Sequence, residues 1–506
     1  MLFNSVAYVA FFAASVVIFY LVPGRFRWFF LLAASLLFYA AWDARLLALM
    51  FAVIAVTYAA SFFISREQKI SNRKKWLLLA CLVNFGALFA FKYVNFFAGA
   101  LRGFFPIPEF NIILPMAISF YTFQAMGYAV DVYRNEYKHE RNFLKFSLFI
   151  TFFPQLVAGP IERARFLLPQ LLESKVFKKE NFVVGAKFLI LGYFKKVVIA
   201  DRIAPIVNAV YGSPRGFAGL PLLIATLLFS LQIYCDFSGY SDIAVGCAKF
   251  FDIDLTLNFR QPYFSKGIRE FWRRWHITLS AWFKDYVYFP LGGSRVSKPR
   301  HYFNTMVTFL VSGLWHGANF TFVLWGAIHG ASQIIGDAAA GLARRLRAGK
   351  VSKPENDPKK PSGDKKNPRR VAADAVKIIF TFSLVTFAWI FFRADTIGDA
   401  FYITAHLFDG AARWTEAAYV YDVLFRIGPA GTELTELFVI ACAALLLAAL
   451  EVFSGKGGNT KRPGTVHDML AKKGAAVRWG VYTLLCMAII SAGVYGNAGA
   501  FIYFQF

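Results

Sequence analysis

Residues 305–330 read TMVTFLVSGLWHGANFTFVLWGAIHG, an apolar run that also carries two histidines, His316 and His329. A run of this length can cross a hydrocarbon core about 30 Å thick, which takes roughly 20 helical residues. Ionisable side chains inside an apolar segment are costly, so each is expected to be functional or paired. The stretch therefore predicts a membrane-spanning helix with a functional histidine.

The composition of the whole chain agrees with this interpretation. Apolar residues make up 58% of the 506 residues, aromatic residues 18%, and the mean hydropathy is +0.49, whereas an ordinary soluble domain is nearer half apolar. We therefore expect an all-α polytopic integral membrane protein with about eleven transmembrane helices and shorter buried or re-entrant helices. The candidate spans are residues 6–22, 28–42, 46–64, 76–97, 112–130, 182–199, 218–235, 302–328, 374–393, 433–452 and 477–496.

The distribution of basic residues predicts the orientation in the membrane. The net charge is +25, from 55 Lys and Arg against 30 Asp and Glu, and the basic residues concentrate between candidate spans. Both termini are predicted to lie outside, and the positive-inside rule favours a cytoplasmic position for the basic loops. Loops beside anionic lipid account for most of the charge, so nucleic acid is not an expected partner. The basic loops are residues 23–27, 66–75, 134–145, 344–370 and 456–473.

The chain is predicted to form a single membrane domain over residues 1–506, because it shows no repeat and no second soluble domain. Its core would occupy about residues 112–395, and two further spans would follow at about 433–496. The Lys- and Pro-rich segment 344–370 is expected to be a disordered cytoplasmic linker. The first apolar run lacks a basic start and a cleavage site, so it is interpreted as a retained helix. The five cysteines show no C-x-x-C spacing, which argues against a disulfide framework and a zinc site.

His316 is the sharpest catalytic candidate. Small residues on both sides of it let another backbone or a slender substrate approach the imidazole. An imidazole can take a proton from a hydroxyl near neutral pH, which predicts a general base. The alternative is a histidine that only hydrogen-bonds between helices, and for His329, near a predicted helix end, packing is the favoured role. His276 also lies in an apolar setting, and the other histidines fall in loops or near segment ends: His139, His301, His406 and His467.

The stretch FWRRWHITLSAWFKDYVYFP, residues 271–290, is interpreted as one helix. Helical spacing gives it an aromatic and apolar face formed by Trp272, His276, Leu279 and Phe283. Arg269 and Arg273 stack on a neighbouring face, with Glu270 close by. These arginines are expected to reach either a bound anion or water at the cytoplasmic boundary, the latter as snorkelling side chains.

A second polar segment is LQIYCDFSGYSDIAVG, residues 231–246, which places Asp236 and Asp242 in an apolar stretch interrupted by glycine. Such stretches are typical of broken helices that line cavities. The chain has no G-x-S-x-G elbow, P-loop, H-E-x-x-H pair or Rossmann fingerprint, which argues against a hydrolase, an ATP-driven pump, a zinc protease and a dinucleotide enzyme. A transporter would need a clear intramembrane acid pair and related halves, and the sequence indicates neither.

Seven segments in one order resemble the membrane-bound O-acyltransferase family. They are LPMAISFYTFQAMGYAVDVYR (114–134), FFPQLVAGPIER (152–163), LGYFKKVVIADR (191–202), LQIYCDFSGYSDIAVG (231–246), NFRQPYFSKGIREFWRRWHITLSAWFKDYVYFPLGGSR (258–295), VSGLWHGANFTFVLWGAIHG (311–330) and TFAWIFFRAD (386–395). Together with the C-terminal FIYFQF they are distributed from residue 114 to the C-terminus. The bacterial branch that O-acetylates polysaccharides such as alginate is more similar than the D-alanyl branch, because that shorter branch ends soon after the last segment.

The resemblance implies a multi-pass protein of the bacterial inner membrane that passes an acyl group from a cytoplasmic thioester to a hydroxyl. The expected donor is acetyl-CoA, no cofactor stays bound, and the acceptor is a polysaccharide or a separate extracytoplasmic acetyltransferase. His316 corresponds to the catalytic histidine of the family and His276 to its second polar position. D-alanyl or other acyl transfer from a carrier protein to an envelope polymer or lipid remains the alternative.

Coenzyme A carries phosphate charges, so basic residues near the cytoplasmic mouth are candidate donor-binding residues. These are Arg269, Arg273, Arg274 and Lys284. Asp236 and Trp315 are further candidates for contact with substrate.

Overall fold

The computed structural model describes residues 3, 5–102, 104–157, 159–348, 368–427, 434–455 and 464–495. Within these residues the secondary structure is helical, without strands. The helices are α1 (Val6–Leu21), α2 (Arg27–Asp43), α3 (Leu46–Arg66), α4 (Ile70–Leu88), α5 (Val94–Leu101), α6 (Ile118–Tyr133), α7 (Phe143–Thr151), α8 (Phe153–Leu156), α9 (Ala164–Leu172), α10 (Lys179–Tyr193), α11 (Asp201–Gly212), α12 (Leu220–Phe250), α13 (Ile268–Arg274), α14 (Ile277–Phe283), α15 (Lys298–His316), α16 (Phe320–Ala348), α17 (Pro368–Arg393), α18 (Ile397–His406), α19 (Ala417–Arg426), α20 (Leu434–Gly455), α21 (Val466–Ala471) and α22 (Ala475–Ala492).

Seven helical stretches in the described part of the chain are long and apolar enough to cross a membrane. They are Gly24–Asp43, Leu46–Arg66, Ile70–Leu101, Leu220–Phe250, Pro368–Arg393, Thr435–Ser454 and Ala475–Ala492. The all-α multi-pass architecture is thereby confirmed, and the count of about eleven spans stays a prediction. Most of the predicted linker 344–370, much of the basic loop 456–473 and the C-terminal FIYFQF lie outside the described residues.

The predicted single span 302–328 is wrong, because α15 ends at His316 and α16 begins at Phe320. Gly317 has an extended backbone, with φ −159° and ψ 151°. The side-chain oxygen of Asn319 accepts the N–H of Thr321 at 3.0 Å and so caps the first turn of α16. Hydropathy did not reveal this turn, since the residues that form it carry no charge.

The chain folds into two compact units, each built from segments that lie far apart in the sequence. Unit 1 comprises Met1–Asn208, Leu231–Asn258 and Leu424–Phe506, and unit 2 comprises Ala209–Ser230 and Phe259–Val423.

In unit 1, glycines bring α10 and α12 into backbone contact. A Cβ atom on Gly192 would lie 2.8 Å from the carbonyl oxygen of Gly239, and one on Gly185 would lie 2.9 Å from that of Gly246. Small residues allow helices in membranes to approach this closely. The predicted broken helix at 231–246 is therefore wrong. Its glycines serve a helix–helix contact, and α12 continues through them for 31 residues.

Unit 1 also contains a buried ion triad around Lys196. Its Nζ lies 2.7 Å from Oδ1 of Asp201 and 2.5 Å from Oδ1 of Asp236, and all three side chains are at most 4% exposed. The adjacent Lys195 pairs with Asp242 at 2.8 Å. Charges removed from water need such partners. The predicted lack of a clear acid pair in the apolar segments is wrong, because the two aspartates on Lys196 come from different helices and only the fold brings them together.

In unit 2, α15 and α16 form a tight hairpin. A Cβ atom on Gly313 would lie 2.2 Å from the carbonyl oxygen of Phe322, and one on Gly326 would lie 2.4 Å from that of Phe309. No side chain fits at either point without separation of the helices. The hairpin therefore sets the position of His316, the last residue of α15.

We expect Gly326→Ala to lower the midpoint of thermal unfolding of the purified protein in detergent. The added methyl group would overlap a backbone carbonyl, and overpacking of this kind costs about 1–3 kcal/mol. Gly336→Ala is the matched control in the same helix, because a Cβ there meets nothing within 4 Å. Equal midpoints for the two variants would contradict the close approach of α15 and α16.

Lys196→Gln is expected to destabilise the protein strongly, since it leaves two buried carboxylates without their cation, at a cost of about 3–5 kcal/mol. Lys178→Gln is the control: its pair with Asp252, at 2.9 Å, is half exposed on the lysine side, and such exposed pairs contribute little to stability. Both changes are read from thermal unfolding and from the amount of protein in the membrane. A Lys196→Gln protein as stable as Lys178→Gln would show that the triad is dispensable.

Candidate active site

His316 lies in an aromatic environment at the end of α15. The residue is 3% exposed. Its ring centroid lies 4.9 Å from that of Trp315, 5.0 Å from that of Trp325 and 5.4 Å from that of Phe392. Electrostatic contacts are stronger in such a setting than in water. An imidazole held there is shielded from bulk water and can exchange a proton with a bound reactant.

The spacing in residues 271–290 predicted one continuous helix through His276, and this prediction is wrong. His276 has φ 43° and ψ 57° and separates α13 from α14. Left-handed backbone is uncommon outside glycine, and histidine is one of the residues enriched there. The helix stops because the carbonyl oxygen of Arg274 accepts the N–H of Arg260 at 2.9 Å, a tertiary contact that replaces the next helical bond. The predicted face is thus interrupted at His276.

The turn buries His276 completely, at 0% exposure. Burial lowers the pKa of this imidazole to about 3, so the ring is neutral at physiological pH. Its ring centroid lies 6.1 Å from that of Trp315. Trp315, the predicted substrate-contact residue, therefore adjoins both candidate histidines.

A cavity of about 430 Å³ in unit 2 is lined by residues of α13, α14, α15 and α16. Its wall includes a polar stripe of α15, formed by His301, Thr305, Thr308 and Ser312. The residues follow one another at spacings of three or four, which places them on one helix face. His316 comes four residues after Ser312 on the same helix face, but His316, His276 and Trp315 are not among the residues that line the cavity.

Three of the four predicted donor-binding cations line this cavity: Arg269, Arg273 and Lys284. Trp272, Leu279 and Phe283, three members of the predicted aromatic and apolar face, line it as well. Arg274 is not among the lining residues, and its guanidinium donates to the carboxylate of Glu270. Of the cations of α13, Arg269 and Arg273 therefore lie at the cavity that the polar stripe of α15 lines, and Arg274 does not.

Asp236 belongs to unit 1, where it pairs with Lys196, and it is not among the residues that line the cavity. His329 lies in the interior of α16, not near a helix end as predicted, because the helix continues to Ala348 beyond the apolar run. Its ring centroid lies 5.0 Å from that of Trp272 and 4.9 Å from that of Trp325.

His301 is a site residue that the sequence interpretation placed among the loop and segment-end histidines. Its Nδ1 lies 2.8 Å from the hydroxyl oxygen of Tyr288, and its Nε2 lies 3.5 Å from Oδ2 of Asp337. All three residues line the cavity. The polar stripe of α15 in an otherwise apolar helix was the available signal for it.

Comparison with known proteins matches residues 134–348 to the model of the membrane-bound O-acyltransferase family. The chain is 36% identical over 398 residues to the probable alginate O-acetylase AlgI of Azotobacter vinelandii, covering 77% of this chain and 74% of that protein. It is 33% identical to the peptidoglycan O-acetyltransferase of Helicobacter pylori, covering 73% and 71% of the two chains. The teichoic acid D-alanyltransferase of Streptococcus thermophilus is 28% identical, with 55% of this chain and 68% of that protein covered. The chain therefore belongs to the membrane-bound O-acyltransferase family, as its motifs predicted, and is a membrane acyltransferase.

Proposed function

We propose that this protein transfers an acetyl group from acetyl-CoA toward a hydroxyl of a cell-surface polysaccharide such as alginate. The observation that carries the proposal is the polar stripe of α15, whose residues line a cavity together with three cations and whose next position on the same helix face is the buried His316. In this proposal the phosphate groups of the donor contact these cations, and its thioester arm follows the polar stripe toward His316. Ligand sites commonly measure about 300–1,000 Å³, a range that includes this cavity.

In this proposal His316 is the general base. Its ring nitrogen takes the proton of the attacking hydroxyl, the hydroxyl oxygen forms a bond to the thioester carbonyl carbon, and the carbon–sulfur bond then breaks. The proton passes to the leaving thiolate, so no other reactant is needed. Because a thioester is already activated, positioning supplies much of the rate, up to about 7–11 kcal/mol.

His276 is proposed to stabilise the oxyanion that forms on the carbonyl oxygen. A neutral imidazole can donate one N–H to that oxygen and does not compete with His316 for the proton. The low pKa that burial gives His276 keeps it in this form. Trp315 holds an apolar surface against both rings.

The acceptor is proposed from the relatives, which are named for alginate, peptidoglycan and teichoic acid. Acetyl transfer to a polysaccharide is favoured by the relatives whose alignment covers more than two thirds of both chains. The acetyl group reaches the polymer directly or through a separate extracytoplasmic acetyltransferase. D-alanyl transfer is the second candidate reaction, because a teichoic acid D-alanyltransferase is among the relatives, and its donor would be an acyl carrier protein, as the family resemblance implies.

The mutation that tests the general base is His316→Gln. An amide keeps a donor and an acceptor but cannot take up a proton near neutral pH, so we expect transfer to fall by about 10²- to 10⁴-fold, as in His316→Ala. We expect His276→Ala to retain partial activity. The measurement is the loss of label from acetyl-CoA, and separately from a charged carrier protein, in the presence of acceptor.

Protein abundance in the membrane is the control for this experiment. Substantial transfer by His316→Gln at wild-type abundance would exclude the general-base role. Label lost from the carrier protein alone would leave the site assignment in place and replace acetyl-CoA as the donor.

We also propose that the protein lies in the bacterial inner membrane with an even number of crossings and both termini outside, so that the cations of the cavity face the cytoplasm. A reporter active only in the cytoplasm should work when inserted near Ser362, in the basic segment 344–370. The same reporter should be silent when fused after Phe506. Activity at the C-terminus would reverse the orientation.

A further inference from the structure

An ion pair between Arg269 and Asp337 lines the cavity. Nη2 of Arg269 donates to both carboxylate oxygens of Asp337. The side chains are 55% and 23% exposed, so the pair stands in contact with water. Among the described residues that line the cavity, Asp337 is the one acidic side chain.

A carboxylate is unexpected in a site that is otherwise cationic. Arg273 and Lys284 line the same cavity, and within the described part of the chain neither of them forms an ion pair. An incoming phosphate could pair directly with these two cations, whereas the charge of Arg269 is already neutralised by Asp337. The negative charge of Asp337 also opposes the phosphate directly.

His301 offers Asp337 a second partner. Its Nε2 lies 3.5 Å from Oδ2 of Asp337, and its Nδ1 lies 2.8 Å from the hydroxyl oxygen of Tyr288. A carboxylate that gives up Arg269 therefore keeps a polar neighbour on its other side. Departure of the arginine does not strand a charge.

We propose that Asp337 is a resident counter-ion, which occupies Arg269 until a phosphate group of the donor displaces it and which returns when the donor product leaves. The inference rests on the proposed function, because it takes a coenzyme A thioester as the ligand. A phosphate accepts two N–H groups of a guanidinium as a carboxylate does and carries more charge, so it competes well for Arg269. A partly exposed ion pair is weak enough to be exchanged.

The exchange has a use in the reaction. Acyl transfer changes the thioester and leaves the phosphates as they were, so the phosphate contacts hold donor and free coenzyme A equally. Binding that is uniform in this way lowers the KM for the donor without raising kcat, and it also slows the release of product. A carboxylate that reclaims Arg269 shortens the time that free coenzyme A stays bound.

The test is equilibrium binding of free coenzyme A to the purified full-length protein in detergent. We expect Asp337→Asn to bind coenzyme A about threefold to tenfold more tightly than wild type, because repulsion and competition for Arg269 are both removed. Pantetheine, which has the thiol arm but no phosphate, should bind the two proteins equally. Asp374→Asn is the matched control, since it removes the same charge from another ion pair of unit 2, with Lys266.

A second background separates the local pair from general electrostatics. In Arg269→Gln, coenzyme A should bind more weakly, and addition of Asp337→Asn should tighten it less than it does in wild type. Thermal unfolding midpoints equal to wild type confirm that each variant is folded.

Three results would overturn the inference. Unchanged affinity in Asp337→Asn, while wild type binds coenzyme A, would exclude the counter-ion role and leave the proposed donor intact. Equal tightening by Asp374→Asn would reduce the effect to net charge. Failure of both wild type and Asp337→Asn to bind coenzyme A would exclude the proposed donor itself, and the counter-ion role with it.

Discussion

The close approach of α15 and α16 at Gly313 and Gly326 is the constraint on which the candidate site depends. Each glycine faces a backbone carbonyl of the other helix at a distance that no Cβ atom tolerates. The hairpin therefore brings the indole of Trp325 against the imidazole of His316. Rigid backbone contact of this kind would hold the proposed general base within the narrow tolerance that proton transfer and proximity require.

The same hairpin gives the cavity its chemistry. One wall is the polar stripe of α15, and α16 contributes Gln333 and Asp337, again four residues apart. These polar residues of α15 and α16 lie on helices whose remaining faces are largely apolar. Polar groups in such helices are costly unless they pair or meet a ligand. The cavity thus concentrates polar groups of both helices beside its three cations.

The two kinds of ion pair in this chain differ in burial, and the difference indicates different roles. Lys196 and its aspartates are at most 4% exposed, so loss of one partner strands a charge in an apolar surrounding. Arg269 is 55% exposed and can exchange Asp337 for water or for another anion. The triad around Lys196 suits a structural role in unit 1, and the pair of Arg269 with Asp337 suits reversible binding in unit 2.

Much of this protein was determined by its sequence alone: a helical multi-pass architecture, the acyltransferase family, and His316 as the chief candidate. Hydropathy, motif order and the cost of an ionisable group in an apolar run all depend on residues close in the chain. The polar stripe that includes His301 could also have been found in this way.

Only the tertiary structure decided the break at His276, the unbroken course of α12 and the partners of Asp236 and Asp337. Each of these depends on a contact between residues far apart in the chain, such as the N–H of Arg260 on the carbonyl of Arg274 or the glycine contacts between α10 and α12. Periodicity within one segment does not reveal which distant backbone group or charge will pair with the polar groups of that segment.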